Sequence, residues 1–164
     1  MKRFILVQLL FISSLCGYAQ NSMQEAFTVH PKGKSVKCYE DQKMKSLRYV
    51  IYPLKEEGNA GTIVQLRYSD KNFLTILFNG DICYVKKGCL AVNTRNYSGQ
   101  MLYLYEKPSD KAKIVYQTTQ EHTVTIYNLD NGWFYVRLRL PNGKDVYGWL
   151  EPAMQCPNPF TTCC

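Results

Sequence analysis

The sequence contains an internal repeat, and no other feature restricts its fold as much. A block running Val64-Gln65-Leu66, Asp70, Phe73, Ile76, Asn79-Gly80 and Cys83-Tyr84-Val85 returns as Val124-Thr125-Ile126, Asp130, Trp133, Val136, Asn142-Gly143 and Gly148-Trp149-Leu150. Val124 stands 60 positions after Val64, and Trp133 stands 60 after Phe73. The spacing becomes 63 at Asn142, where the second block has the additional stretch Arg139-Leu140-Pro141. A fixed period of this length marks a duplicated supersecondary unit. The repeat predicts two small domains of the same kind, about 34–98 and 99–154, preceded by a segment at 20–33 and followed by a Cys-rich tail at 155–164.

Both blocks read as β-structure. Runs such as Thr123–Tyr127 and Trp133–Leu140 are rich in aromatic and β-branched residues and are bounded by Asp-Asn-Gly and Pro-Asn-Gly, which are turn sequences. Asn79-Gly80 and Asn142-Gly143 are predicted hairpin turns, since Asn and Gly tolerate positive φ. Side chains alternate across a strand, so Phe134, Val136, Leu138 and Leu140 are expected to face the core and Trp133, Tyr135, Arg137 and Arg139 to face outward. No long helix is expected.

The N-terminus has the three parts of a secretory signal peptide: Lys2-Arg3, an apolar run from Phe4 to Leu15, and Gly17-Tyr18-Ala19. The run is shorter than the about 20 apolar residues that a membrane span needs. Residues 1–19 are therefore read as a leader cleaved near Gln20. The bulky Leu15 argues against lipidation of Cys16. Export places the protein in an oxidising compartment, periplasmic or extracellular. There the remaining Cys38, Cys83, Cys89, Cys156, Cys163 and Cys164 read as disulfide candidates rather than zinc ligands, with no C-x-x-C spacing or nearby histidine to favour a metal. The vicinal pair Cys163-Cys164 bonds to itself only under strain, so one of the two is expected to reach Cys156 or the body of the protein.

The formal net charge is +7. From Gln20 to Ser98 there are 12 Lys and Arg against 7 Asp and Glu, whereas Gly99–Cys164 has 6 of each. The clusters Lys32, Lys34, Lys37 and Lys43, Lys45, Arg48 read first as a solvated basic face, and second as a surface for an anionic polymer or headgroup. Nucleic acid is not an expected partner, as no binding motif occurs.

Catalysis is not expected, and no cofactor is implied. The only histidines are His30 and His122, neither in a nucleophile motif. H-E-x-x-H, G-x-S-x-G and Gly-rich phosphate loops are missing. The carboxylates Asp70, Asp81, Asp130 and Asp145 fall mainly where turns are predicted, and Asp commonly serves the backbone there.

In the second block, Leu102-Tyr103-Leu104-Tyr105, Pro108-Ser109, Lys113-Ile114-Val115, Val124-Thr125-Ile126, Asn131 to Leu138, Asn142-Gly143 and Gly148-Trp149-Leu150 follow one another in an order that resembles a bacterial SH3-like domain. The resemblance covers about residues 100–154; the first block, about 34–93, matches more weakly, with Cys83-Tyr84-Val85 where Gly-Trp-Leu stands later and an insertion around Lys55 to Gly61. Two departures stand out: Tyr105-Glu106-Lys107 replaces the family's Arg-Ser-Gly, and Glu121-His122 replaces a frequent glycine. The resemblance implies an all-β chain of two tandem SH3-like barrels, each small, five-stranded and strongly bent, used for targeting in the cell envelope. It also implies a groove where the first strand, the start of the third and the start of the last meet. That groove makes Tyr105, Trp133 and Trp149, with Tyr103, the candidate ligand-binding residues; Tyr39, Phe73 and Tyr84 are their first-block counterparts. The expected ligand is a cell-wall peptide or glycan, or an envelope protein partner; the alternative is a structural or regulatory interaction protein with no small ligand. The same strand adjacency implies a Cys38–Cys89 disulfide, closing a loop of about 50 residues and worth roughly 4 kcal/mol on a chain-entropy estimate.

Overall fold

The structure is a computed structural model that describes residues 24–54, 61–160 and 163. The leader expected at 1–19, Cys16 and Cys164 lie outside those residues, as does most of the insertion after Leu54. The described chain is all-β, with strands β1 (Gln24–Thr28), β2 (Val36–Tyr39), β3 (Leu47–Ile51), β4 (Ile63–Ser69), β5 (Phe73–Phe78), β6 (Asp81–Lys86), β7 (Leu90–Thr94), β8 (Leu102–Tyr105), β9 (Ile114–Thr118), β10 (Thr123–Asp130), β11 (Trp133–Arg139), β12 (Asp145–Leu150) and β13 (Gln155–Cys156). Among the described residues, single 3-10 turns at Pro31–Gly33 and Pro152–Met154 interrupt them.

The strands form one antiparallel sheet in the order β3-β2-β6-β5-β4-β1-β7-β10-β11-β12-β8-β9, with β13 added to β7. The order β3-β2-β6-β5-β4 in the first half is repeated as β9-β8-β12-β11-β10 in the second. Even the irregularities recur: bulges interrupt the ladders between Leu66 and Tyr68 and between Ile126 and Asn128, and again at Cys38/Tyr39 and Leu104/Tyr105. Bulges re-aim side chains and bend strands, so sharing them means sharing curvature.

The sheet does not divide where the repeat does. Segment 20–33 contributes β1, which pairs with β4 and β7. Strand β7 also pairs with β10 of the second half, and the tail strand β13 pairs with β7 in turn. Each half thus has the strand preceding it laid along its third strand: β1 on β4, and β7 on β10. Backbone groups along those strand edges find partners in the neighbouring segment instead of water. Across the junction, Ser69 hydrogen-bonds Asn128, and the Leu129 N–H donates to Ser69 Oγ at 3.0 Å.

Alternation holds as expected in β11. Phe134, Val136 and Leu138 are buried and Leu140 packs at the edge of the core, while Trp133, Tyr135 and Arg137 are half-buried on the other face and Arg139 is exposed. Buried residues of both halves form one hydrophobic cluster. Hairpin chemistry is only partly as expected. Asn79 and Gly80 both take positive φ (52° and 83°) and close a two-residue turn, but it is Asn131-Gly132 (46° and 84°) that does so in the second half. Asn142-Gly143 instead belongs to a longer loop in which only Gly143 (81°) is left-handed, with Pro141 starting the turn and the Leu140 N–H donating to the Lys144 C=O. This longer hairpin moves the alignment of the halves from 60 positions in β10 and β11 to 65 in β12.

Among the described residues one disulfide is present, Cys156–Cys163, as expected for the tail. The Cys38–Cys89 bond is not formed: both are free thiols, as is Cys83. The register Tyr39↔Tyr84 sets Cys38 level with Val85, so Cys89 comes four residues later, past the strand, in a turn bound to the end of β1 through Val29 N–H to Cys89 C=O at 2.9 Å. Opening and closing strands are neighbours, but the cysteines are out of register for a bond. Burial, reinforced by Cys83 and Cys89, pushes the Cys38 thiol up to about 12, which keeps it protonated and unreactive.

Candidate functional site

The outward face of β8, β12, β11 and β10 carries a row of aromatic side chains. Trp149 sits directly across from Tyr135 and from Tyr105 on its two flanking strands. The Trp149 and Tyr135 rings are 5.4 Å apart, Tyr135 stacks on Tyr147 at 6.2 Å, and Tyr147 meets Tyr127 edge-on at 5.9 Å. The Arg137 guanidinium lies over Tyr127, 5.6 Å from the ring centre. At the other end Trp133 meets Tyr105 edge-on at 5.6 Å, and Tyr105 meets Tyr103 at 6.1 Å. Such pairs hold each ring in place and add about 0.5–1.5 kcal/mol each beyond their buried area.

The four expected residues are thus on one surface, arranged differently from the simplest reading. Trp133 is diagonal to Trp149, because the register puts Tyr135 opposite Trp149. Tyr105 is buried, at 7% exposure, and supports Trp133 from beneath. Its burial, then the nearby charges of Glu151 and Asp110 and its neighbour Tyr103, raise its hydroxyl above the ordinary tyrosine value, so it stays neutral. The usable surface is Trp133, Tyr135, Tyr147 and Trp149. Tyr147, at 42% exposure, and Tyr127 were not singled out from the sequence. Period-two alternation back from Trp149 points to Tyr147; the bulge at Tyr127 breaks that alternation and hides its position.

Gly148 explains how β12 closes on β8. A Cβ there would come within 2.8 Å of Leu104 Cβ and of Val115 Cγ2, so only glycine allows the approach that places Trp149 beside Tyr105. The equivalent strand of the first half carries Cys83 in place of Gly148, and the smaller Cys38 stands in place of Leu104.

The first-half counterparts do not build the same surface. Phe73 is buried at 4% exposure and packs edge-on against Tyr84 at 5.0 Å. Thr75, Ile82 and Arg67 stand where Tyr135, Tyr147 and Tyr127 stand later. Of the basic clusters, Arg48 is committed, bonding Asp81 at 2.8 Å. Asp81 and Asp145 begin strands and pair with Arg48 and Arg139, where their role is structural. His30 is fully engaged, its Nδ1 donating to the Lys34 C=O and its Nε2 accepting from the Thr28 hydroxyl. Burial lowers the pKa of His122, so its ring is neutral near pH 7. Among the described residues no group of three or more His, Cys, Asp or Glu is arranged to hold a metal ion.

No curated protein matches this sequence. Two solved structures from Trichomonas vaginalis are similar to the chain at 19% identity: that of NlpC2, with a TM-score of 0.34 over 82% of this chain and 48% of its own, and that of NlpC1, with 0.35 over 90% and 50%. The chain therefore spans about half the length of those proteins. Residues 101–153, from the residue before β8 to the turn after β12, match the family model of the bacterial SH3 domain, the family that this half resembles in sequence.

Proposed function

We propose that this protein is an exported, non-catalytic binding module built from two fused SH3-like units, and that the aromatic row of the second unit recognises a peptide or glycan segment of the cell envelope. The row itself carries the reading: four aromatic side chains, ordered by ring contacts and partly open to solvent, on the half that matches the bacterial SH3 domain. Flat amphipathic rings with few rotatable bonds give contact area to sugars and extended peptides at low entropic cost. The Cys156–Cys163 bond supports an oxidising compartment. The second unit is read as the binding one and the first as its scaffold, because the first has Thr75, Ile82 and Arg67 in place of the row. Retention on purified peptidoglycan, competed by soluble wall fragments and reduced by Trp133→Ala or Trp149→Ala in a protein that still melts cooperatively, is the expected result. Absence of retention by the native protein favours the structural or regulatory role and removes the wall reading.

A further inference from the structure

The two halves begin their third strands with the same clasp. In the first, Thr28 N–H donates to Thr62 C=O and Thr62 N–H to the Thr28 hydroxyl oxygen, both at 2.9 Å. In the second, Thr94 N–H donates to His122 C=O and His122 N–H to the Thr94 hydroxyl oxygen, again at 2.9 Å. What lies on the clasp differs. The first half has Gly61 there, and a Cβ on it would come within 1.8 Å of the Thr28 carbonyl oxygen, so no side chain fits. The second half has Glu121 and His122, and beside them a cavity of about 320 Å³ lined by Asn93, Tyr97, Glu121, His122, Thr123, Pro159 and Phe160.

The far wall of that cavity is the tail beyond β13, through Pro159 and Phe160. The Cys156–Cys163 bond closes it into a loop, Asn93 Nδ2 donates to the Asn158 C=O at 3.0 Å, and the Cys163 N–H donates to Tyr97 Oη at 2.9 Å. Three independent ties hold Pro159 and Phe160 over the end of β7.

The lining chemistry is selective. Among the described lining residues Glu121 is the one carboxylate, and none is Lys or Arg. Asn93 Oδ1 and the Thr123 hydroxyl satisfy each other at 2.6 Å. His122 has a buried Nε2 with no hydrogen-bond partner, and Phe160 presents a half-exposed ring. A carboxylate, an imidazole and two aromatic rings, with no cation among them, disfavour an anion and suit a positive charge on a short hydrocarbon stem. The volume is at the lower end of the range for small-molecule sites.

We propose that this cavity is a second binding site, separate from the aromatic row, for a ligand bearing a primary ammonium group on a short aliphatic chain. It sits at the opposite end of β10 from Trp133, and it stands or falls independently of the reading of the aromatic row. The test is an NMR titration of the whole secreted chain, labelled on histidine and phenylalanine, with n-pentylamine and with 1-pentanol as the uncharged analogue. The amine should shift His122 and Phe160 saturably, with at least tenfold weaker binding for the alcohol. Glu121→Gln should weaken the amine at least tenfold, while Trp133→Ala leaves it unchanged. Cys156→Ser with Cys163→Ser, which frees the wall, should also abolish saturation, and unchanged shifts elsewhere in the spectrum check that this variant is folded. Equal binding of amine and alcohol, no saturable shift in the native protein, or indifference to Glu121→Gln overturns the proposal.

Discussion

The two halves share strand order, bulge positions and the threonine clasp, yet they differ in what they show to solvent and in how their cores close. Where opening and closing strands meet, the first half has Cys38 and Cys83 at the positions where the second has Leu104 and Gly148, which approach closely. A medium pair and a large-plus-absent pair fill comparable space, and interiors are packed tightly enough that one partner's volume sets the other's. On the outer face the second half has aromatic side chains where the first has Thr75, Ile82 and Arg67. The two halves thus keep the same strand order and bulges, while their surfaces differ where backbone geometry does not depend on the side chain.

The largest test of the comparison is in the core. Phe134→Ala should cost about 4 kcal/mol and its counterpart Leu74→Ala about 3 kcal/mol. Because the sheet and core are continuous, both variants should unfold in a single shifted transition by calorimetry. Two transitions, of which only one moves, would mean that the halves are energetically independent.

Next comes the surface. Trp133→Ala should lower ligand retention by about 2 kcal/mol with a small change in melting temperature, whereas Phe73→Ala, at the same place in the repeat but buried, should lose about 3 kcal/mol of stability and leave retention intact. If Trp133→Ala melts like Phe73→Ala, the row is a packing interface and the groove assignment fails.

The thiols give a smaller effect confined to the first half. An unfolded thiol ionises near 9.0, whereas folded Cys38 holds its proton up to about 12. Between those values the native state binds more protons than the unfolded one, so stability is full below pH 9 and falls as pH rises, by about 1.4 kcal/mol per pH unit for this group. Urea unfolding from pH 8 to 10.5 should show at least that slope, since Cys83 and Cys89 are raised as well, and Cys38→Ala should reduce it. An unchanged slope would move the effect to another group.

The smallest difference concerns the clasp. Thr94→Val and Thr28→Val each leave a strand-end N–H without its acceptor, and each should cost about 1–2 kcal/mol. Similar values would show that the clasp is one device used twice; a much larger loss for Thr94→Val would show that the cavity depends on it.

The repeat was legible in the sequence because turn residues and core alternation are local signals. Val64 and Val124, or Phe73 and Trp133, can be matched without knowing their neighbours. The candidate face was half legible: Trp133, Tyr135 and Trp149 follow from alternation, but the bulge at Tyr127 and the burial of Tyr105 do not. The Cys38–Cys89 expectation failed for a related reason, since knowing that two strands are adjacent does not give their register, and a disulfide tolerates little error in register.

By itself, then, the sequence determined an all-β chain, the inward and outward faces of β11, and a cysteine tail able to bond to itself, because each depends on residue type and short-range spacing. Only the tertiary structure decided that the strand before each unit lies along that unit's third strand, that Tyr135 rather than Trp133 faces Trp149, and that Glu121 and His122 share a cavity with Phe160. Those arrangements depend on which edges pair and in what register, and pairing between distant segments is chosen by the fit of the whole core.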